Sequence, residues 1–344
     1  MKLYKSLTII ILCLTLTSCG TNINEAKKDI SIKTNASNDA FTLGNDLKLS
    51  ISNPKNHKIG SVSYTLDGKD IQSSETLNNM KLGIHELVAS FSLNGESTSI
   101  SKSITILNNQ TPKIYTYTII NEYPHDQTSY TQGLEFYNGE LYEGTGQYGG
   151  SKLRKIDYKT GDVLKNIDLS NEYFGEGITI LDDKIYQLTW KKGTGFVYDA
   201  NTFEKTGSFK YGKSLEGWGI CNDGTKLYKS DGTEKIWTLN PETLTEESYI
   251  QAYHNKGKVV ELNELEWVNG KIYANRWNKN GVAIINPKNG AVEGVIDFTP
   301  LHNMVTKHPK LDVLNGIAYN PDTQTIFVTG KYWDKLFEVE ITEK

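Results

Sequence analysis

Gln132-Gly133-Leu134, Glu176-Gly177-Ile178, Trp218-Gly219-Ile220, Asn263-Glu264-Leu265 and Asn315-Gly316-Ile317 are five versions of one short motif. After a turn, each is answered by a second motif: Glu140-Leu141-Tyr142, Lys184-Ile185-Tyr186, Lys226-Leu227-Tyr228, Lys271-Ile272-Tyr273 and Thr325-Ile326-Phe327. The turns are Asn138-Gly139, Asp182-Asp183, Asp223-Gly224, Asn269-Gly270 and Pro321-Asp322, residues suited to tight hairpins. A third strand follows in every unit, at Leu153–Tyr158, Phe196–Ala200, Ile236–Asn240, Val282–Asn286 and Leu336–Ile341. The first four units continue into a fourth strand, whereas the fifth runs into the C-terminus without one. The lead residues fall 44, 42, 45 and 52 positions apart, the length of a four-stranded blade. Ahead of the first unit, Ile114–Tyr123 is a strand with no partner of its own. A closed ring in which that strand completes the last blade accounts for both irregularities. The sequence therefore predicts an all-β fold with a five-bladed β-propeller over 114–344.

Upstream, short alternating runs at Ile30–Lys33, Leu47–Ser52, Ser61–Leu66, His85–Leu93 and Ser97–Leu107 are separated by turns such as Asp67-Gly68 and Asn94-Gly95. This spacing without helical period predicts a small immunoglobulin-like β-sandwich over 30–108. Residues 19–29 are polar and patternless, a tether. The first residues carry a targeting pattern: Lys2 and Lys5, an apolar stretch Leu7–Leu16, then Leu16-Thr17-Ser18-Cys19-Gly20. The stretch is short for a membrane span, and a small residue before Cys is similar to a bacterial lipobox. Residues 1–18 are expected to be a lipoprotein signal peptide, with Cys19 lipidated. An exported, membrane-anchored lipoprotein follows, with the outer membrane expected because Gly20 does not resemble an inner-membrane retention signal.

Net charge is −4, and no long Lys/Arg run occurs, which argues against nucleic acid as a partner. Apart from Cys13 and Cys19, Cys221 is the sole cysteine, so no internal disulfide is available, and its strand context reads as a buried small hydrophobe. His125, His254, His302 and His308 lie in connecting segments without metal-ligand spacing.

The first strand of a propeller blade lines the central channel, and its start lies at the same end as the finish of the second strand. Four residues past the aromatic of each second strand come Gly146, Trp190, Gly232, Trp277 and Lys331. A purely structural ring repeats one residue type at each place. Here the lead residues and these five differ, bringing an acid, amides, tryptophans and a lysine to one mouth. Each has a plainer reading, as turn carboxylate, packing aromatic or surface lysine, and Asn315 suits a polar contact between blades equally well. Glu176 beside apolar Phe174 is the natural general base, because burial raises a carboxylate's pKa.

The ordered motifs Tyr130-Thr131-Gln132-Gly133-Leu134-Glu135, Phe174-Gly175-Glu176-Gly177-Ile178-Thr179, Leu188-Thr189-Trp190-Lys191, Glu216-Gly217-Trp218-Gly219, Asn263-Glu264-Leu265-Glu266 and Ala274-Asn275-Arg276-Trp277 resemble the plant-type glutaminyl cyclases. That family of five-bladed propellers is also found in bacteria. The likeness runs from about Ile114 to the C-terminus and leaves out the sandwich. It implies conversion of an N-terminal glutamine of a peptide to pyroglutamate with loss of ammonia. It further implies Glu176 as acid/base, Gln132, Asn263 and Lys331 as polar partners, and Phe174, Trp190, Trp218 and Trp277 as an aromatic cage. Tyr130 departs from the family's usual Phe and adds a hydroxyl to the substrate pocket. The chemistry requires no metal or other cofactor, although backbone carbonyls in the channel could hold a structural cation. A monomer acting on peptides or proteins with N-terminal Gln is expected. Two alternatives stay open at this stage: a surface propeller that binds peptide ends or glycans without turnover, and a propeller lactonase. The second would need clustered channel carboxylates, of which the lead positions supply one.

Overall fold

The computed structural model describes residues 23–344; the expected signal peptide and the lipidation site Cys19 lie outside them. The chain divides into two compact units. One takes the chain up to Asn35 with Lys48–Glu75 and Glu86–Lys102, and the other takes Ala36–Leu47, Thr76–His85 and Ser103–Lys344.

In the smaller unit, Ser31–Thr34 pairs antiparallel with the strand Asp46–Ser52, in the register Ser31↔Ser52 to Thr34↔Leu49. Ile59–Leu66 turns back on Lys69–Ile71 and pairs on its other side with Leu87–Leu93. The turn residues Asp67 and Gly68 both have positive φ, as a two-residue hairpin of this hand requires. Part of the expected tether is ordered: Ile23–Lys28 is a short helix, and Ala26 and Ile30 pack with Phe91 and Leu93. The physical reason is the spacing of Ile23, Ala26 and Ile30, which puts three apolar side chains on one side of an otherwise polar segment.

The larger unit contains the propeller. Each of the first four blades runs through four consecutive antiparallel strands; three of them are separate sheets, and the fourth is joined to the fifth by the parallel pairing of Gly294–Ile296 with Lys113–Tyr115. The four blades begin with the inner strands Thr131–Tyr137, Gly175–Leu181, Ile220–Asn222 and Leu262–Val268. The fifth begins with Leu314–Asn320 and continues through Thr325–Gly330 and Lys335–Glu343. Its fourth strand is Lys113–Pro124, which pairs with Lys335–Glu343 from Lys335↔Pro124 to Glu343↔Tyr115. The strand before the first repeat thus closes the ring, as the truncated fifth unit required. Apolar clusters fill the spaces between blades, one of them around Phe298, Trp333 and Phe337. Cys221 is fully buried among them, and burial drives its thiol pKa well up, so it is inert.

At the centre, the inner strands approach backbone to backbone. A Cβ added to Gly133 would lie 2.9 Å from Gly177 Cα; one on Gly177 would lie 2.7 Å from Gly219 Cα; one on Gly219 would lie 2.7 Å from Glu264 Cα. Glycine follows the lead residue in these three blades because each leans on the next without room for a side chain. In the fourth blade that place is Glu264. Its carboxylate reaches the neighbouring inner strand instead, accepting from the backbone N–H of Ile317 at 3.0 Å. Gly219→Ala should therefore lower stability by about 1–3 kcal/mol through overpacking. The control Gly281→Ala, with no atom nearer than 3.6 Å to the new Cβ, should not. Urea unfolding midpoints of the two variants test this.

Candidate active site

The lead residues owe their direction to a local irregularity. In four blades the inner hairpin slips register at that point, between Thr131 and Gly133, Gly175 and Ile178, Leu262 and Leu265, and Leu314 and Ile317. Such a bulge adds a residue to one strand and re-aims its side chain. Gln132, Glu176, Asn263 and Asn315 all sit in one. In the remaining blade, Trp218 lies just before the inner strand, its N–H donating to Ser230 O at 3.1 Å.

A chain of side-chain amides leads to the acid. Asn315 Nδ2 donates to Thr131 O at 2.9 Å and to Gln132 Oε1 at 3.0 Å, and Gln132 Nε2 donates to Glu176 Oε2 at 2.7 Å. Because Gln132 Oε1 accepts from Asn315, its amide has one orientation, with the NH2 group toward Glu176. All three residues are buried. Burial pushes the Glu176 pKa well above the usual carboxylate range; Lys331 and the Gln132 bond pull it down, and the Glu216 carboxylate pushes it up. Asn315, read from sequence as an ambiguous blade contact, is thus the anchor of this chain.

Lys331 is buried at 2% exposure, and its pKa is lowered by burial against the opposing pull of Glu176 and Asp312. Its Nζ stands 4.5 Å from the centre of the Tyr130 ring. Burial, then the nearby Asp312 and Glu176 carboxylates, push up the pKa of the Tyr130 hydroxyl, the departure from the family's Phe. Asn263 is buried, and its Oδ1 has no hydrogen-bond partner among the described residues. An acceptor left so carries a cost of about 1–3 kcal/mol that a ligand N–H would relieve.

The aromatic residues form two connected groups. Tyr130 meets Tyr332 and Phe174 edge to face, at centroid distances of 5.2 and 6.0 Å, and Phe174 meets Trp190 at 5.5 Å. Trp218 meets Trp277 at 6.0 Å, also edge to face. Glu216 joins the groups: its Oε2 accepts Trp190 Nε1 at 2.7 Å and Trp218 Nε1 at 2.8 Å. Gly146 and Gly232 now have a reason too. A Cβ on the first would collide with the Phe174 ring, and one on the second would fall 2.6 Å from the Trp218 ring. The alternation Gly146, Trp190, Gly232, Trp277 is one of space left and space filled.

Glu216 and Tyr332 were not singled out by sequence reasoning, which aligned repeat positions and so passed over the loops between blades. The channel also holds more carboxylate than the lead positions suggested: Glu135, Glu264 and Glu266 are buried there, and burial raises the pKa of each. Among the described residues, no group of three His, Cys, Asp or Glu side chains is placed to hold a metal ion.

His125, in a connecting segment, is buried. Its Nδ1 is 2.9 Å from Trp333 O, and its Nε2 is 3.2 Å from Glu143 Oε1. Glu143 also accepts from Thr131 Oγ1 at 2.7 Å and Ser129 Oγ at 3.1 Å, and Tyr332 N donates to Ser129 O at 2.7 Å. The buried network therefore ties the segment carrying Tyr130 and Gln132 to the segment carrying Lys331. Burial opposes the charge on His125, but Glu143 prevails and its pKa is raised; burial likewise opposes the charge on Glu143, but His125 and Arg154 hold its pKa down.

A sequence profile of the family described as glutamine cyclotransferase matches residues 87–341. The glutaminyl-peptide cyclotransferase of Arabidopsis thaliana is 40% identical over 229 residues, spanning 65% of this chain and 71% of that protein. The crystal structure of the glutaminyl cyclase of Myxococcus xanthus matches with a TM-score of 0.63 and 36% identity, covering 68% of this chain and 99% of that one.

Glu143→Gln should cost about 3–5 kcal/mol, because His125 is left buried without its counter-charge, while Arg154 keeps its closer pair with Asp126 at 2.7 Å. The His125 contribution is complete below its ordinary value of 6.5 and lost as pH rises through the raised one. The Glu143 contribution is complete above 4.5 and lost as pH falls through the lowered value. Calorimetric melting should thus show the largest gap between wild type and variant between about pH 4.5 and 6.5, narrowing on both sides.

Proposed function

The chain belongs to the glutamine cyclotransferase family, and we propose on that premise how its pocket turns the N-terminal glutamine of a peptide into pyroglutamate. The α-amine attacks the γ-carboxamide carbon of the same residue, a C–N bond forms to close the five-membered lactam, and the amide nitrogen leaves as ammonia. Nucleophile and electrophile arrive tethered, so the enzyme's task is to fold the side chain back and hold it. Orientation of this kind can account for about 7–11 kcal/mol of barrier. The aromatic walls of Tyr130, Phe174, Trp190, Trp218 and Trp277 suit a short uncharged side chain.

Glu176 takes the proton that the amine loses and delivers it to the departing nitrogen. The observation that carries this reading is the chain from Asn315 through Gln132 to Glu176, which holds a buried carboxylate of raised pKa in one orientation. A carboxylic acid with raised pKa both accepts and returns a proton near neutral pH, a role worth about 10²–10⁴-fold. Lys331, electrostatically coupled to Glu176, supplies positive charge to the oxyanion of the tetrahedral intermediate. The unpaired Asn263 Oδ1 receives a substrate N–H. The steps balance among substrate and side chains, and no cofactor enters them; a structural cation in the channel is compatible with this scheme.

We also infer that the protein is exported and tethered by lipid at Cys19, acting as a monomer on peptides or proteins that begin with Gln. The pattern of Lys2, Lys5, the apolar run Leu7–Leu16 and the small residues before Cys19 supports export and the anchor, and Gly20 favours the outer membrane. The strands of the smaller unit serve as a spacer of immunoglobulin-like type.

Glu176→Gln should leave the melting temperature close to wild type and reduce ammonia release from a Gln-initiated peptide by at least 10²-fold; wild-type-like turnover would remove Glu176 as the base. Asn315→Ala frees the Gln132 amide to rotate and should lower kcat more than it raises KM, read from steady-state kinetics on the same peptide.

A further inference from the structure

Trp190 and Trp218 belong to different blades, yet both indoles end on one oxygen atom. Glu216 Oε2 lies 2.7 Å from Trp190 Nε1 and 2.8 Å from Trp218 Nε1. An indole carries a single N–H donor, so each ring's polar capacity is spent on this contact. Packing alone leaves an exposed-edge aromatic free to pivot about two side-chain torsions. A hydrogen bond to an ionised carboxylate is about twice as strong as a neutral one and fixes the far end of the ring.

The loop that presents Glu216 is itself held. Gly217 N donates to Trp190 O at 3.1 Å, and Glu216 O accepts from Lys229 Nζ at 3.1 Å. Lys229 is fully buried and also bonds Ser214, which in turn bonds Glu246. Gly217 packs on Tyr211 so tightly that a Cβ would fall 2.7 Å from its ring, and the Tyr211 hydroxyl is tied to Thr189 N and O, each at 2.8 Å. Thr189 is the residue before Trp190. Both walls and the loop between them are therefore referred to one rigid frame across two blades.

We propose that Glu216 is the positioning residue of the aromatic cage, its one carboxylate oxygen locking Trp190 and Trp218 into a fixed corner against which the glutamine side chain folds. This role rests on the cyclase reading for its kinetic consequence but not for its geometry. Without the lock, both indoles gain rotational freedom, and the near-attack conformation of the substrate is populated less often. Gln at this place keeps the size and a carbonyl acceptor, whereas Ala removes both.

The test combines indole NMR with kinetics on wild type, Glu216→Ala and Glu216→Gln. The protein has six tryptophans, so Trp190→Phe and Trp218→Phe assign the two relevant Nε1–H signals by their disappearance. In Glu216→Ala both signals should move upfield and exchange faster with solvent, and kcat/KM should fall about 10–100-fold. In Glu216→Gln kcat/KM should return to within about threefold of wild type, the rescue expected when a neutral acceptor replaces a charged one. The proposal is overturned if either indole signal is unmoved in a folded Glu216→Ala, or if that variant turns over like wild type. Should Glu216→Ala not fold, the indole shifts of Glu216→Gln decide: both must move, since the acceptor has lost its charge. Wild-type protein that releases no ammonia from any Gln-initiated peptide would refute the cyclase reading, while the indole signals would still report on Glu216.

Discussion

Inner strands that touch backbone to backbone at Gly133, Gly177 and Gly219 set the radius of the propeller, and the rest of the structure is built outward from that contact. A side chain at any of these three places would meet the backbone of the next inner strand at 2.9 Å or less, so the blades could not stand this close. Gln132 could not then reach from the first blade to Glu176 on the second, nor Asn315 from the fifth to Gln132 on the first. The 2.7 and 3.0 Å bonds of that chain each cross a blade boundary. Close approach at the centre thus converts five separate sheets into one site. Glu264 shows the same constraint from the other side: where a side chain does occupy the position, it runs to the neighbouring strand and finds a backbone donor there.

Burial and polarity are balanced around this centre with care for where charge is wanted. Glu176 keeps one firm hydrogen bond and a raised pKa, which leaves it ready to exchange a proton. Glu143, equally buried one strand away, is surrounded by His125, Arg154, Thr131 and Ser129 and has its pKa lowered. The same residue type is set to exchange protons in one place and to stay ionised in the other, and the difference lies in the number and charge of its partners. The second carboxylate serves the first, because its network holds the segments that carry Tyr130, Gln132 and Lys331.

The wall of the pocket is fitted glycine to aromatic, across a blade boundary at Gly146 and within one blade at Gly232. Phe174 and Trp218 extend over Gly146 and Gly232, so the glycines in the odd members of the series are the space that the aromatics occupy. Read along the chain, these residues look like unrelated variation at a repeated position. In the folded chain, Gly146 is the complement of Phe174 and Gly232 that of Trp218.

The repeat, the number of blades and the strand that closes the ring were all legible in the sequence, because hairpin turns and alternating strands are local and recur at a fixed spacing. The same repeat put Gln132, Glu176, Asn263, Trp190, Trp218, Trp277 and Lys331 forward as candidates for one mouth, since it assigns each to an equivalent position and antiparallel pairing puts those positions at one end. What the sequence could not express were relations between blades. The partner of Asn315 lies 183 residues away in the chain, His125 meets Trp333 across the closure, and Glu216 acts from a loop that no alignment of strands includes. The bulges that aim the lead residues are equally hidden, for a register slip depends on how two paired strands meet the crowded centre. Local pattern determined which residues would gather; only the closed ring decided which would touch, because its contacts join segments whose separation along the chain carries no periodic signal.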